Sequence, residues 1–141
     1  MAVEFVHPVI VGKRALPAIS LTNDVATVTG VSDRSGFEQA FTHHMRHLAS
    51  PQDIALGISV TGSCRNVLLA LELAHVMELL TMAMTGHDGG VIAKSSAVYF
   101  ALVARSGDPL VVKEIQVTTY HILWELVHVF FERPGFWNRG F

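Results

Sequence analysis

Length, composition and charge limit this chain to a few classes of protein. It has 141 residues, half of them apolar and 16% charged, with a formal net charge of −2, which is enough for one domain with one core and gives no reason to expect nucleic acid as a partner. No apolar run reaches the ~18 residues of a membrane span, and the opening MAVEFVHPVIV lacks the basic n-region of a signal peptide. The single cysteine, Cys64, excludes an internal disulfide and fits a reducing compartment, so the sequence predicts a cytoplasmic protein.

The apolar pattern predicts strands that alternate with helices. Met1 to Val6 resembles the last turns of an amphipathic helix, which ends at His7-Pro8. Further along, the predicted strands are PAISL (17–21), DIALGIS (53–59), LTMAMT (80–85) and AVYFALVA (97–104), and the predicted helices cover 36–48, 65–79 and 110–131. The runs at 53–59 and 97–104 lack polar alternation, which indicates strands buried on both faces. Together these elements predict an α/β fold with a mainly parallel sheet and right-handed crossovers.

The segment DIALGISVTGSCRNVLLALELA (53–74) places a loop rich in hydroxyl groups between a strand and a helix. We call residues 59–64 the hydroxyl loop. Its side chains and the free N–H groups of the following helix meet at the carboxyl end of a strand, where open α/β sheets bind ligands. The loop contains no Lys, unlike the Walker loop. It therefore predicts a phosphate site, with the alternative that Ser and Thr only cap the helix.

The residues around the hydroxyl loop resemble a known family. ISVTGSCRNVLLALELA (58–74), followed by LTMAMTGHDGG (80–90), is similar to the sugar-isomerase (SIS) domain of phosphoheptose isomerases. The resemblance extends through PAISLTNDVATVTGVSDRSGFEQAF (17–41) and EIQVTTYHILWELVH (114–128), nearly the whole chain. It implies a single SIS domain over residues 1–141, a three-layer α/β/α sandwich without the family's N-terminal helix and its first, interior strand.

The resemblance also implies the activity and the binding residues. The family converts sedoheptulose 7-phosphate to a heptose 7-phosphate, the first step toward bacterial surface heptose, and related noncatalytic proteins regulate replication initiation. Phosphate and substrate binding would fall on Ser59, Val60, Thr61, Gly62, Ser63, Cys64 and Asn66. Cys64 stands where the family has serine, and because a thiol is a weak donor we expect weaker phosphate binding.

The resemblance assigns the chemistry to Glu4 and His121. The family moves a proton between C1 and C2 of the sugar through an enediol, which needs a base and an acid. The two residues also match zinc ligands of bacterial members, but the first His of that set would precede Met1. The Gln of the set falls on Lys113, with Gln116 one helical turn on, so a complete zinc site is not expected. From the residues alone, His121 is typical of a half-buried histidine and Glu4 of a surface charge.

Other positions weaken the match or leave alternatives open. An Asp of the family falls on Arg34, with Asp33 one place away. The cluster His43, His44 and His47 is open to metal binding or to a solvated or interface helix, and we expect the second because no carboxylate or cysteine is near.

Two function classes follow. Glu4 and His121 favour a phosphosugar isomerase, whereas Cys64, Lys113, Arg34 and the missing N-terminal segment favour a noncatalytic phosphosugar-binding or protein-interaction module. We therefore expect this chain to isomerise its substrate poorly or not at all. The apolar last helix, together with the tetramers of the family, predicts a homo-oligomer, a dimer or a tetramer, with a sugar phosphate as ligand and no membrane partner.

Overall fold

The computed structural model describes residues 1–132, which fall into two compact units. Among these residues, the first unit comprises Met1–Ser20 and residues 117–132, and the second is Leu21–Gln116. In the first unit, helix α1 covers Ala2–Val6. In the second, the elements in chain order are α2 (Val25–Ser35), a 3-10 turn (Phe37–Gln39), α3 (Ala40–Leu48), β1 (Ile54–Ser59), α4 (Arg65–Val76), β2 (Leu80–Gly86), α5 (Gly90–Lys94) and β3 (Phe100–Ala104). Helix α6, Pro109–Glu132, begins in the second unit and ends in the first.

The three strands form a parallel sheet in the order β1-β2-β3. The register places Ser59 beside Thr85, and Gly86 beside Ala104. The α/β fold with a parallel sheet is therefore confirmed, and so are the strands predicted at 53–59 and 80–85 to within a residue. The strand predicted at 97–104 begins only at Phe100, because Val98 donates its N–H to Ser95 in a turn.

Helices pack against both faces of the sheet. A Cβ on Gly57 would lie 2.7 Å from Val67, so α4 covers that face closely. A Cβ on Gly86, which points to the opposite face, would lie 2.6 Å from Val112 in the first turn of α6. These contacts place helices on the two sides of the sheet, as in the predicted three-layer sandwich. The main core lies on the α4 side and includes Leu71, Ala74, Ala83 and Ile92.

The prediction of burial on both faces is wrong for β1 and β3. On the face opposite Gly57, Ile54 and Phe100 are 62% and 56% exposed, and Ile58 and Leu102 are also exposed. The first turns of α6 reach the carboxyl ends of the strands on that face and leave the amino ends open. The apolar pattern therefore identified the strands correctly, but it did not show how much of each strand is covered by the helices of this chain.

The prediction of a strand at PAISL (17–21) is also wrong. These residues are irregular, and α2 follows them with Asp24 as its N-cap. Within residues 1–132, the sheet consists of β1, β2 and β3 alone, so PAISL pairs with no strand. A strand is stable only when its backbone groups are paired.

Within residues 1–132, no helix combines the length and apolarity that crossing a bilayer requires.

Candidate functional site

The hydroxyl loop joins β1 to α4 at the carboxyl end of the sheet. Ser59 is buried, and its Oγ accepts the N–H of Gly62 at 3.0 Å and donates to Sγ of Cys64 at 3.1 Å. The N–H of Ser63 donates to Oγ1 of Thr61 at 3.2 Å. The loop thus curls around the Ser59 hydroxyl, while Thr61, Ser63 and Cys64 are exposed.

No side chain caps the start of α4. Cys64 occupies the N-cap position without a side-chain bond to the helix, although Asn66 accepts the N–H of Val67 at 2.9 Å. The Ser59 and Thr61 hydroxyl groups accept N–H groups within the loop, so helix capping does not explain these two side chains. The positive end of a 12-residue helix therefore faces the loop, which suits an anion.

The turn T-G-H-D-G-G (85–90) packs directly on the hydroxyl loop. Gly62 has a φ of +70°, and a Cβ there would lie 2.1 Å from the carbonyl oxygen of Gly89. The carbonyl of Gly62 accepts the N–H of Ile92 at 3.0 Å. The two loops are therefore in backbone contact.

Thr85 places a further hydroxyl at the same end of the sheet. It is fully buried, it lies beside Ser59 in the register, and its Oγ1 has no hydrogen-bond partner within residues 1–132. Buried hydroxyl groups are normally satisfied by protein, water or ligand. The sequence pattern did not single out Thr85; its position at the end of a predicted strand was the available signal.

Gln116 and Lys113, both on α6, differ sharply in environment. Lys113 is exposed. Gln116 is buried, and its Nε2 donates to the carbonyl oxygens of Ser59 and Met84, each at 3.2 Å. Its amide is therefore occupied by the backbone of the two strand ends. A lone glutamine in an apolar helix was the signal for such a role.

Glu4 and His121 belong to the first unit and lie close together. Nε2 of His121 is 3.5 Å from Oε1 of Glu4. Two further residues of α6 contact the same glutamate: the Tyr120 hydroxyl donates to Oε1 at 3.4 Å, and the Trp124 indole N–H donates to the main-chain carbonyl at 3.0 Å. The family resemblance pointed to Glu4 and His121 but not to Tyr120 and Trp124, which lie one residue before and three after His121.

The chemistry of this pair suits proton transfer. The Glu4 side chain is 27% exposed and that of His121 is 55% exposed, so a substrate is able to reach both. Burial, and then the nearby Glu4 carboxylate, raises the pKa of the Tyr120 hydroxyl above its usual value of 10. Tyr120 therefore stays protonated and donates to the carboxylate. A carboxylate beside an imidazole supplies a base and an acid.

Lys13 and Arg14 are held against the last turns of α6 by polar contacts. His128 is buried, and its two ring nitrogens face the carbonyl oxygens of Trp124 at 2.8 Å and Arg14 at 3.0 Å. Lys13 forms ion pairs with Glu125 at 3.2 Å and Glu132 at 3.0 Å. Hydrogen bonding to Glu132 is the main cause of the raised pKa of Lys13. These contacts hold residues 13–14 against the helix that presents His121.

The residues present do not fit the zinc site of the family. Within residues 1–132, no group of three His, Cys, Asp or Glu side chains is arranged to hold a metal ion. Glu4 and His121 supply two ligands, and the ammonium of Lys113, which stands at the position of the family's Gln, is not a ligand. In the HHxxH cluster, His43 and His47 are exposed with ring centroids 4.9 Å apart, whereas His44 is buried with Nδ1 3.2 Å from the Ala40 carbonyl.

Comparison with known proteins gives consistent relatives, although no protein-family model matches the chain. It is 38% identical over 133 residues to the phosphoheptose isomerase of Nitratidesulfovibrio vulgaris (strain DSM 19637 / Miyazaki F), covering 94% of this chain and 63% of that protein. It is 39% identical over 127 residues to the phosphoheptose isomerase of Pelobacter propionicus, covering 90% and 66%. The chain thus spans about six-tenths of the length of these curated relatives.

Solved structures agree. A phosphoheptose isomerase from Francisella tularensis superposes with a TM-score of 0.83 at 30% identity, covering 90% of this chain and 67% of that chain. The phosphoheptose isomerase of Neisseria gonorrhoeae superposes with a TM-score of 0.75 at 28% identity, covering 79% and 62%. On sequence and structure together, the chain belongs to the phosphoheptose isomerase family.

Proposed function

We propose that this chain is a phosphosugar isomerase that acts on sedoheptulose 7-phosphate. The observation that supports it best is the contact between Glu4 and His121, at 3.5 Å, in a member of the phosphoheptose isomerase family. A carboxylate and an imidazole at that separation are the two groups that an aldose–ketose isomerisation needs.

In this proposal Glu4 removes a proton from C1 of the ketose while His121 protonates the carbonyl oxygen on C2. The electron pair of the broken C–H bond forms the double bond of an enediol. His121, now neutral, takes the hydroxyl proton from O1, and Glu4 returns its proton to C2. The product is the aldose, and both side chains recover their first protonation states. Tyr120, bonded to Glu4, orients the carboxylate through these steps.

The hydroxyl loop binds the phosphate group in this proposal. Its support is the uncapped start of α4, the exposed Thr61 and Ser63 hydroxyls and the unpartnered Thr85 Oγ1. Phosphate binding positions the reacting carbons, so it contributes to the rate of the chemical step as well as to affinity. Asn66, beside the loop, completes the proposed substrate-binding set. The protein would form a single SIS domain.

The test is a coupled assay of aldose formation by the purified chain. We expect slow turnover, because Cys64 replaces a better donor, and we expect Glu4→Gln to abolish it. Glu114→Gln, which neutralises an exposed glutamate of α6, is the control and should keep wild-type activity. Activity that survives Glu4→Gln would reject Glu4 as the base.

A second function is favoured by Lys113, since its ammonium stands where the family has a Gln ligand and does not bind a metal ion. It is a noncatalytic phosphosugar-binding or protein-interaction module. A chain that binds sedoheptulose 7-phosphate but forms no product in the same assay would support this function over the first.

We also propose that the chain forms a homo-oligomer in the cytoplasm. The support for assembly is the apolar sheet face with Ile54 and Phe100 exposed, together with exposed apolar residues of α6 such as Leu110 and Ile122. Exposed apolar side chains of this kind are typical of interfaces. A monomer mass in light scattering at micromolar concentration would overturn it. The single free cysteine is consistent with a reducing compartment.

A further inference from the structure

One amide side chain connects α6 to the ends of two neighbouring strands. Gln116 is only 7% exposed. Its Nε2 donates to the carbonyl oxygen of Ser59, the last residue of β1, and to that of Met84 in β2, each at 3.2 Å. Both contacts lie within the second unit, at the end of the sheet where the hydroxyl loop begins.

The chemistry of these contacts requires a donor at this position. A glutamine amide has two N–H groups, and here each is directed to a carbonyl oxygen. Glutamate has nearly the same shape, but when ionised it only accepts hydrogen bonds, and methionine has no donor. A buried side chain with this requirement is costly to replace even by a residue of equal volume.

The bonds continue from Gln116 into the hydroxyl loop. Ser59 is the first residue of the loop, and its Oγ accepts the N–H of Gly62. Gly62 in turn accepts the N–H of Ile92, which fixes the loop against the turn at 85–90. A shift of the Ser59 carbonyl therefore moves the hydroxyl on which the loop closes.

The start of α6 is itself held in place. Val112, one helical turn before Gln116, is fully buried, and a Cβ added to Gly86 would meet its methyl groups at 2.6 and 2.8 Å. Gln116 thus projects from a rigidly packed helix toward the strand ends. We propose that Gln116 is a positioning residue that sets the geometry of the hydroxyl loop for phosphate binding, a role that rests on the proposed function of that loop.

The experiment compares Gln116→Met and Gln116→Glu with a matched control, using inorganic phosphate as the probe. Thr81→Val is the control, because Thr81 is also fully buried and its Oγ1 donates to the Ala97 carbonyl at 2.6 Å, but at the amino end of β2. We expect each Gln116 variant to weaken phosphate binding about tenfold, the equivalent of about 1.4 kcal/mol. We also expect faster amide exchange at Gly62 in both, with Thr81→Val unchanged in both measurements.

The outcomes separate this inference from the proposed function. Unchanged exchange at Gly62 in the Gln116 variants, or an equal loss of phosphate affinity in Thr81→Val, would overturn the positioning role. A second outcome is that the wild-type protein binds no phosphate while amide exchange at Gly62 is still faster in the Gln116 variants. This result would reject the phosphate site but would support the ordering of the loop by Gln116. If both Gln116 variants fail to fold, NMR of the wild-type protein decides. The side-chain NH₂ resonance of Gln116 should shift when phosphate is added. A phosphate-induced shift of the loop amides with no shift of the Gln116 NH₂ resonance would overturn the inference.

Discussion

Trp124 donates its indole N–H to the main-chain carbonyl of Glu4 at 3.0 Å, and this bond ties the five-residue helix α1 to α6. A helix of one turn and a half is not stable alone in water. The position of the proposed base therefore depends on α6 and not on α1 itself.

Trp124→Phe tests this dependence. The substitution keeps an aromatic ring but removes the donor, so we expect faster amide exchange in residues 2–6 and a loss of about 1 kcal/mol of stability in urea. Isomerase activity should fall with it, because Glu4 loses its fixed position. Protection of residues 2–6 equal to wild type would contradict the prediction.

Tyr120→Phe removes the hydroxyl that donates to Glu4, with little change in volume. We expect kcat to fall several-fold with a smaller change in KM, because the tyrosine orients the base and does not bind phosphate. Tyr99→Phe, at an exposed tyrosine of the second unit, is the control. A rise in KM with unchanged kcat would assign Tyr120 to substrate binding instead.

The same tyrosine predicts a pH dependence of stability. Its pKa in the folded chain lies above the unfolded value of 10, because burial disfavours the phenolate. The unfolded chain therefore loses this proton at lower pH, and folding stability should decline as pH rises beyond 10. Urea titrations between about pH 9 and about pH 11 should show a smaller decline of folding stability in Tyr120→Phe than in the wild-type protein.

Cys64→Ser should strengthen phosphate binding. A serine hydroxyl is a better donor than the thiol that Ser59 now contacts at 3.1 Å. We expect a several-fold lower dissociation constant for inorganic phosphate by titration. Cys64→Ala, which keeps the size small and removes the polar group, should not lower it, and equal gains in both variants would reject the hydrogen-bond explanation.

Two glycines should respond to alanine in opposite directions. Gly62→Ala adds a Cβ 2.1 Å from the Gly89 carbonyl at a φ of +70°, so the loops must separate and phosphate binding should be lost. Gly30 lies inside α2 with nothing within 4 Å of an added Cβ. Gly30→Ala should therefore stabilise the chain by about 0.5–1 kcal/mol. Phosphate titration of Gly62→Ala and thermal melting of Gly30→Ala check the two expectations.

Asp24 predicts an acid-sensitive cap on α2. Hydrogen bonds from the hydroxyl and the N–H of Thr27 hold the pKa of this carboxyl below its ordinary value of 3.8. Its contribution is complete above the ordinary value and is lost as pH falls through the lowered one. Asp24→Asn should keep the cap and remove that part of the acid transition, whereas Asp24→Ala should lose the cap at every pH. Melting curves from about pH 2 to about pH 6 distinguish the wild-type protein from Asp24→Asn and Asp24→Ala.

The sequence predicted the strands and the helix of 53–85 well because each is specified by local pattern: an apolar run, a hydroxyl-rich turn and then an amphipathic helix. It failed at PAISL (17–21), whose state depends on a neighbouring strand that local pattern does not report. The positions of Glu4 and His121 came from family resemblance, since neither stands out by composition. The roles of Gln116, Thr85, Tyr120 and Trp124 were not predicted because they depend on contacts between residues far apart in the chain.

The open edge of β1 has a consequence for refolding of the protein. Within residues 1–132 one edge of β1 is unpaired, and Ile54 and Ile58 on the same strand are exposed. Such an edge is a template for another chain during folding. Association of this kind is second order in protein concentration, whereas folding is first order. The yield of refolded protein should therefore rise steeply on dilution.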